Sequence, residues 1–234
     1  GVDIPTREEI KAIVGALDGR WRPLLLTAIF SGLRASELRG LRWQDVDLEK
    51  REIHVRQRAD RYNEIGRPKS EAGERTVPMS PLVASTLREW RLSCLRPRTG
   101  EKNVEGDPVI EEMRPAQLVF PNGQGKVESL SNIMQRGFLP AQVKVGVSVP
   151  NGESDKNGEP VMHAKYTGIH SLRHFYASWL INRKEDGGLG LPPKSVQERL
   201  GHSTIALTMD TYSHLFPRTD DASELATAEA ALLR

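Results

Sequence analysis

Between residues 170 and 212 the chain sets chemically active side chains into apolar spacing of the helical kind. His170-Ser171-Leu172-Arg173-His174 is followed by Leu200-Gly201-His202-Ser203 and then by Met209-Asp210-Thr211-Tyr212-Ser213-His214. Leu172, Phe175, Tyr176, Trp179 and Leu180 recur at helical intervals, which predicts a helix opening near His170 with Arg173 and His174 beside its start. Residues 193–200 read as a short helix ended by Gly201, which leaves His202 on a turn before Ser203 and Thr204 cap a third helix ended by Tyr212. A helix start offers free backbone N–H groups and the positive end of the dipole, a natural seat for phosphate. Imidazoles, a guanidinium and a phenol placed around such a seat are the mixture that holds a phosphodiester and attacks it with a side chain.

The rest of the chain predicts a mainly α protein with a small antiparallel sheet. Thr6 and Glu9 form a capping-box pattern ahead of Ile10, Ile13, Val14 and Leu17. Residues 21–30 read as a buried helix ended by Ser31-Gly32, and Arg34, Glu37, Leu38 and Leu41 open the next, with Arg34 and Glu37 sharing a face. From Arg51 to Met79 the period shortens to two, Asn63 and Gly66 supply turns, and Thr76-Val77-Pro78 reads as a closing strand. Seven basic and five acidic residues lie there, read as solvated or as nonspecific phosphate contacts. Residues 81–95 read as a helix, 118–121 as a strand and 130–139 as a helix. Residues 97–115 and 142–165 read as loops, the first an insertion or lid, the second able to order on DNA.

Composition narrows the class less. No apolar run approaches the roughly 20 residues of a membrane span, and the first residues carry no export signal, so the expectation is a cytoplasmic protein with no membrane partner. Cys94, the single cysteine, cannot form an internal disulfide and reads as packing beside Leu87, Trp90, Leu92 and Leu95. A net charge of +2 does not by itself name DNA as partner, although the tail after Phe216 is acidic and leaves a more basic body. His170 and His174, four apart, lack the intervening Glu of a metalloprotease pair and a third ligand of clear spacing, so neither a metal nor a cofactor is expected.

Arg34, Lys69, His170, Arg173, His202 and Tyr212 follow in an order, and in local motifs, that resemble the catalytic domain of the tyrosine recombinases, the phage integrase family, over residues 5–217. Pattern alone reads Arg34 and Glu37 as a surface ion pair and Tyr212 as core; the resemblance reverses both. It implies Arg34 and Arg173 as phosphate clamps helped by His202, Glu37 as the acidic partner that orients, and Lys69, beside Pro68 in a hairpin, as a mobile proton donor. It implies Tyr212 as nucleophile, with His170 assisting removal of its proton. The implied reaction cleaves and rejoins double-stranded DNA through a 3′-phosphotyrosyl intermediate. The rival readings are a type IB topoisomerase-like enzyme and a DNA-binding module that does not cut. The resemblance further implies a homotetramer on DNA that is monomeric without it, accessory DNA-bending or directionality proteins, and an N-terminal clamping domain ahead of a 1–217 catalytic domain. Residues 218–234 are expected to form a tail helix docking on a neighbouring subunit.

Overall fold

The computed structural model describes residues 3–94, 98–102, 108–110, 117–216 and 222–233. Helix α1 (Arg7–Ala16) starts on the expected capping box, with Thr6 accepting from the Glu9 N–H and Glu9 reaching back to the Thr6 N–H. Helix α2 (Trp21–Ser31) is apolar on every side and is buried on every side, with Leu24, Leu25, Leu26, Ala28 and Ile29 in the core. It ends at Gly32, whose φ of +61° is left-handed. A Cβ there would also lie 2.2 Å from Tyr176 Cδ1, so glycine is required both for the turn and for the packing.

Helix α3 (Ala35–Gly40) follows with Arg34 as its N-cap residue. Strands β1 (Val46–Asp47), β2 (Glu52–Val55) and β5 (Arg75–Pro78) make an antiparallel sheet in the order β1-β2-β5, in which Ile53 and Val77 pair and both are buried. Between β2 and β5, β3 (Arg58–Ala59) and β4 (Ile65–Gly66) form a hairpin whose turn places Asn63 at a φ of +69°. Buried Arg39 on α3 fastens this hairpin, donating from Nη1 to the Asp60 carbonyl and from Nη2 to the Asn63 side chain, while its Nε donates to the Glu128 carbonyl.

Helix α4 (Pro81–Ser93) is capped by Ser80 and packs on α2. Cys94 is buried at its end. Of the stretch expected to be a loop from 97 to 115, the described parts, β6 (Arg98–Lys102) and β7 (Pro108–Ile110), pair as an antiparallel hairpin; the remainder lies outside the described residues, as does Leu95. The expected strand at 118–121 is instead two isolated bridges, Arg42 with Leu118 and Pro121 with Val127. The helix expected at 130–139 runs further, through α5 (Leu130–Asn132), a π-helical turn (Ile133–Phe138) and α6 (Leu139–Lys144). Pro140 lacks the N–H that would bond one turn back, and the chain takes up the mismatch as a wider turn with Gly137 against the Trp21 ring.

The second expected loop is also corrected: β8 (Ser148–Ser154) and β9 (Pro160–Ala164) pair antiparallel. Asn157-Gly158 forms their turn, with Gly158 at a φ of +84°, while the Asn151-Gly152 that reads as a loop signal lies within β8. Helices α7 (His170–Ile181), α8 (Pro193–Leu200) and α9 (Ile205–Tyr212) then pack around a second apolar cluster of Tyr176, Ala177, Leu180, Ile181, Val196, Leu200 and Tyr212. The larger cluster holds α1, α2, the three-stranded sheet and α4. Helix α10 (Ala222–Leu232) follows, and its Leu225 and Leu232, like Leu233 just beyond it, are exposed. Pro217 and the first tail residues lie outside the described residues. No described helix is long and apolar enough to cross a membrane.

Candidate functional site

Helix ends assemble the site. Helix α8 stops at Leu200 because Gly201 turns left-handed, which frees the last carbonyls of the helix at the negative end of its dipole. Three consecutive carbonyls there each accept from a different arginine. Arg75 Nε reaches Arg199 O at 2.8 Å, Arg173 Nη2 reaches Leu200 O at 2.6 Å, and Arg34 Nη2 reaches Gly201 O at 3.0 Å. Arg173 is held a second time at the end of α2, where its Nη1 donates to Gly32 O at 2.5 Å. Main chain therefore fixes the planes of both expected clamp arginines. Burial, and then the charge of Arg34, push the Arg173 guanidinium down to about 9, so it stays protonated at neutral pH.

Glu37 lies beneath Arg34. Its Oε1 accepts from Arg34 Nη1 at 2.8 Å and its Oε2 from the Arg34 N–H at 2.9 Å, the pairing their spacing predicts. The same carboxylate accepts from Arg75 Nη1 at 3.1 Å and Nη2 at 3.0 Å. Burial alone would raise its pKa, but the hydrogen bonds and charge of Arg75 and the charge of Arg34 outweigh this and hold it below the ordinary carboxylate value. Arg34, Glu37 and Arg75 thus form one network, in which Glu37 and the Arg75 side chain are buried and Arg34 is partly exposed.

Tyr212 is 1% exposed. Its hydroxyl lies 2.7 Å from His174 Nδ1, and the His202 ring stacks parallel to it at 6.5 Å between centroids. Burial pushes the Tyr212 phenol up to about 12, against a smaller pull from Arg173. Desolvation, followed by the charges of His170 and Arg173, brings His174 down to about 4; desolvation, followed by the charges of Arg173 and Arg34, does the same for His202. Both rings are neutral at pH 7. His202 is oriented by a 2.9 Å hydrogen bond between its Nδ1 and buried Thr208 Oγ1. His170, at the first position of α7, is exposed and meets His174 edge to face at 4.6 Å between centroids. Partial desolvation and the neighbouring arginines lower its pKa too.

The structure thus gathers Arg34, Glu37, His170, Arg173, His202 and Tyr212 at the junction of α2, α3, α7, α8 and α9. Lys69 is not hydrogen-bonded to this group. It is exposed in the bend beyond β4, past the hairpin on which it was expected, and makes no hydrogen bond or ion pair among the described residues. Two residues without an assigned role belong to the site. His174, not His170, touches the Tyr212 hydroxyl, across 38 residues of sequence that no local pattern spans. Arg75, counted with the solvated basic residues of the sheet, has its side chain buried beneath Glu37. Its signal lay in the strand period, because Arg75 and Val77 fall on the same inward face of β5. Among the described residues no third His, Cys, Asp or Glu joins His170 and His174 in a metal-binding group.

The site therefore combines a phenol beside neutral imidazoles with guanidinium ions pinned by helix ends. The chain belongs to the phage integrase family, whose model matches residues 5–218. It is 32% identical over 224 residues to a XerC-like tyrosine recombinase of Caldanaerobacter subterraneus subsp. tengcongensis, covering 90% of this chain and 50% of that protein. The transposase from transposon Tn916 of Enterococcus faecalis is 29% identical over 194 residues, covering 81% of this chain and 41% of the transposase. The chain therefore spans half or less of these relatives' own length. In fold it resembles the Tn1549 transposon integrase solved with circular intermediate DNA, with a TM-score of 0.64 at 21% identity over 99% of this chain and 66% of that one. The catalytic domain of bacteriophage HP1 integrase matches with a TM-score of 0.51 at 17% identity over 93% of this chain and 90% of the domain.

Proposed function

We propose that this chain is the catalytic domain, over residues 1–217, of a site-specific DNA recombinase that cleaves and rejoins double-stranded DNA through a tyrosine-linked intermediate. The observation that carries the reading is the buried Tyr212 hydroxyl held 2.7 Å from a neutral imidazole within the field of Arg173. In the reaction the Tyr212 oxygen attacks the scissile phosphorus, its proton passes to the neighbouring imidazoles, and the 5′ oxygen departs. The product is a 3′-phosphotyrosine that stores the energy of the broken bond for rejoining. With a pKa near 12 the phenol is a poor nucleophile at neutral pH until that proton has an acceptor. His174 is the acceptor within reach, and His170 lies one ring further out. Arg34, Arg173 and His202 stabilise the charge on the non-bridging oxygens, the work that a metal ion performs in many nucleases. Lys69, free to swing from its bend, protonates the leaving 5′ oxygen.

Tyr212 and Arg173 are both buried, so phosphate reaches them only when α9 shifts. That helix has eight residues and exposes Ile205 and Leu207, so it is held less firmly than α7. Relatives named as recombinases and transposases, and the solved integrase–DNA complex, support DNA as substrate and a mobile element as setting. A tetramer on DNA, with accessory bending or directionality proteins and with α10 docked on the neighbouring subunit, completes the proposal.

The test is covalent capture from a pool of nicked duplexes with a randomised core, at low salt. Wild-type protein should form an adduct that maps to Tyr212, persists in excess EDTA, and is absent from Tyr212→Phe. An adduct that survives this substitution, or that requires Mg²⁺, rejects the reading.

A further inference from the structure

Arg75 does not fit the part of a substrate contact. Its side chain is 6% exposed, against 38% for Arg34, and four hydrogen bonds commit it to protein: Nε to Arg199 O, Nη1 to Gly73 O and Glu37, and Nη2 to Glu37. Glu37 creates the need for it. A carboxylate 2.8 Å from Arg34 orients that guanidinium, yet it also cancels the positive charge that a phosphate is meant to meet. A phosphodiester carries one negative charge and approaches two as a phenolate oxygen adds to phosphorus. Arg34 and Arg173 with Glu37 would supply one net positive charge; Arg34, Arg75 and Arg173 with Glu37 supply two. His170, His174 and His202 are lowered in pKa and add no charge at neutral pH. Arg75 and Glu37 both act electrostatically on Arg173, so the three guanidinium ions and the carboxylate share one field.

We propose that Arg75 is a positioning residue that neutralises Glu37, so that the carboxylate orients Arg34 without cancelling its charge. This rests on the reading of the site as a phosphoryl-transfer centre. A purely structural Arg75 and a charge-balancing one make opposite predictions when Glu37 is also neutralised.

The experiment measures single-turnover adduct formation on the nicked duplex captured by wild-type protein, with DNA affinity measured in parallel. Arg75→Gln should slow adduct formation by about tenfold or more while leaving DNA affinity unchanged. Adding Glu37→Gln should restore the rate to within about threefold of Glu37→Gln alone, because the uncompensated carboxylate is gone. A double variant as slow as Arg75→Gln, or an Arg75→Gln protein as fast as wild type, overturns the proposal. If Arg75→Gln does not fold, Arg75→Lys decides: it keeps the charge and loses the fork, so a rate within about threefold of wild type supports charge balance and a larger loss overturns it. If wild-type protein forms no adduct, the recombinase reading fails by itself, and calorimetric binding of tungstate, a tetrahedral dianion, takes the place of the rate. The same order of wild type, Arg75→Gln and double variant then supports the charge balance, and an affinity indifferent to Arg75 overturns it.

Discussion

His174 and His202 show what burial beside arginines does to a single side chain. Each is brought to about 4 in the folded chain, by desolvation first, whereas in the unfolded chain a histidine titrates near 6.5. The unfolded state therefore binds protons that the folded state refuses, and stability falls as pH drops from about 6.5 towards about 4. Glu37, depressed below 4.5, contributes in the same direction further down, its stabilisation being lost as pH falls through its folded value. Urea midpoints measured between pH 7 and pH 4 should fall steadily, and His174→Gln together with His202→Gln should flatten that slope above pH 5. An unchanged slope in the double variant would mean that other groups carry the proton uptake. The contacts found only in the structure, those of His174 and Arg75, share one property. Each residue acts on a partner that sequence spacing does not reveal, Tyr212 in one case and Glu37 with Arg199 in the other.

Elements place these residues through the way they end. Helix α2 stops at a left-handed glycine whose carbonyl anchors Arg173, and α8 stops at another whose neighbouring carbonyls anchor three arginines. Gly32→Ala should be severe for this reason. A left-handed L-residue costs about 1–2 kcal/mol, and forcing a methyl group into the Tyr176 ring adds about 1–3 kcal/mol. The variant should lose stability by about 2–5 kcal/mol in urea unfolding and should also lose adduct formation, because the Arg173 anchor moves with the turn. A variant within 0.5 kcal/mol of wild type, about the size of an ordinary surface change, would show that the Tyr176 ring yields freely. The hairpins at 98–110 and 148–164 make the complementary point. Their Gly, Pro and Asn residues were read as loop signals, yet Asn157-Gly158 is a turn joining two strands, and pairing with the opposite strand supplies what each strand lacks alone.

At the scale of the whole molecule, α10 is the element whose described leucines face solvent. Leu225 and Leu232 are 76% and 84% exposed, so this chain gains little stability from them. Deleting residues 220–234 from the full-length protein should leave its melting temperature within about 1 °C of wild type, below the roughly 2–4 °C that 1 kcal/mol would cause in a domain of this size. Single-site DNA binding should persist, whereas paired-site assembly and strand exchange should fall. Normal synapsis by the truncated protein would reduce the helix to a dispensable tail.

What the sequence by itself determined is local or periodic. The capping box of α1, the all-apolar α2, the glycine ends of α2 and α8, the start of α7 and the contact between Arg34 and Glu37 all arise within a few residues, where backbone geometry and side-chain reach decide the outcome. The ordered set of Arg34, Lys69, His170, Arg173, His202 and Tyr212 likewise carried the family. Only tertiary structure decided that Tyr212 leans on His174 instead of His170 and that Arg75 turns inward beneath Glu37. It also decided which strands pair. These outcomes depend on contacts between residues dozens of positions apart, set by how α7, α8 and α9 close on the α2–α3 junction, and no pattern along one segment encodes the side chain that another segment will bring.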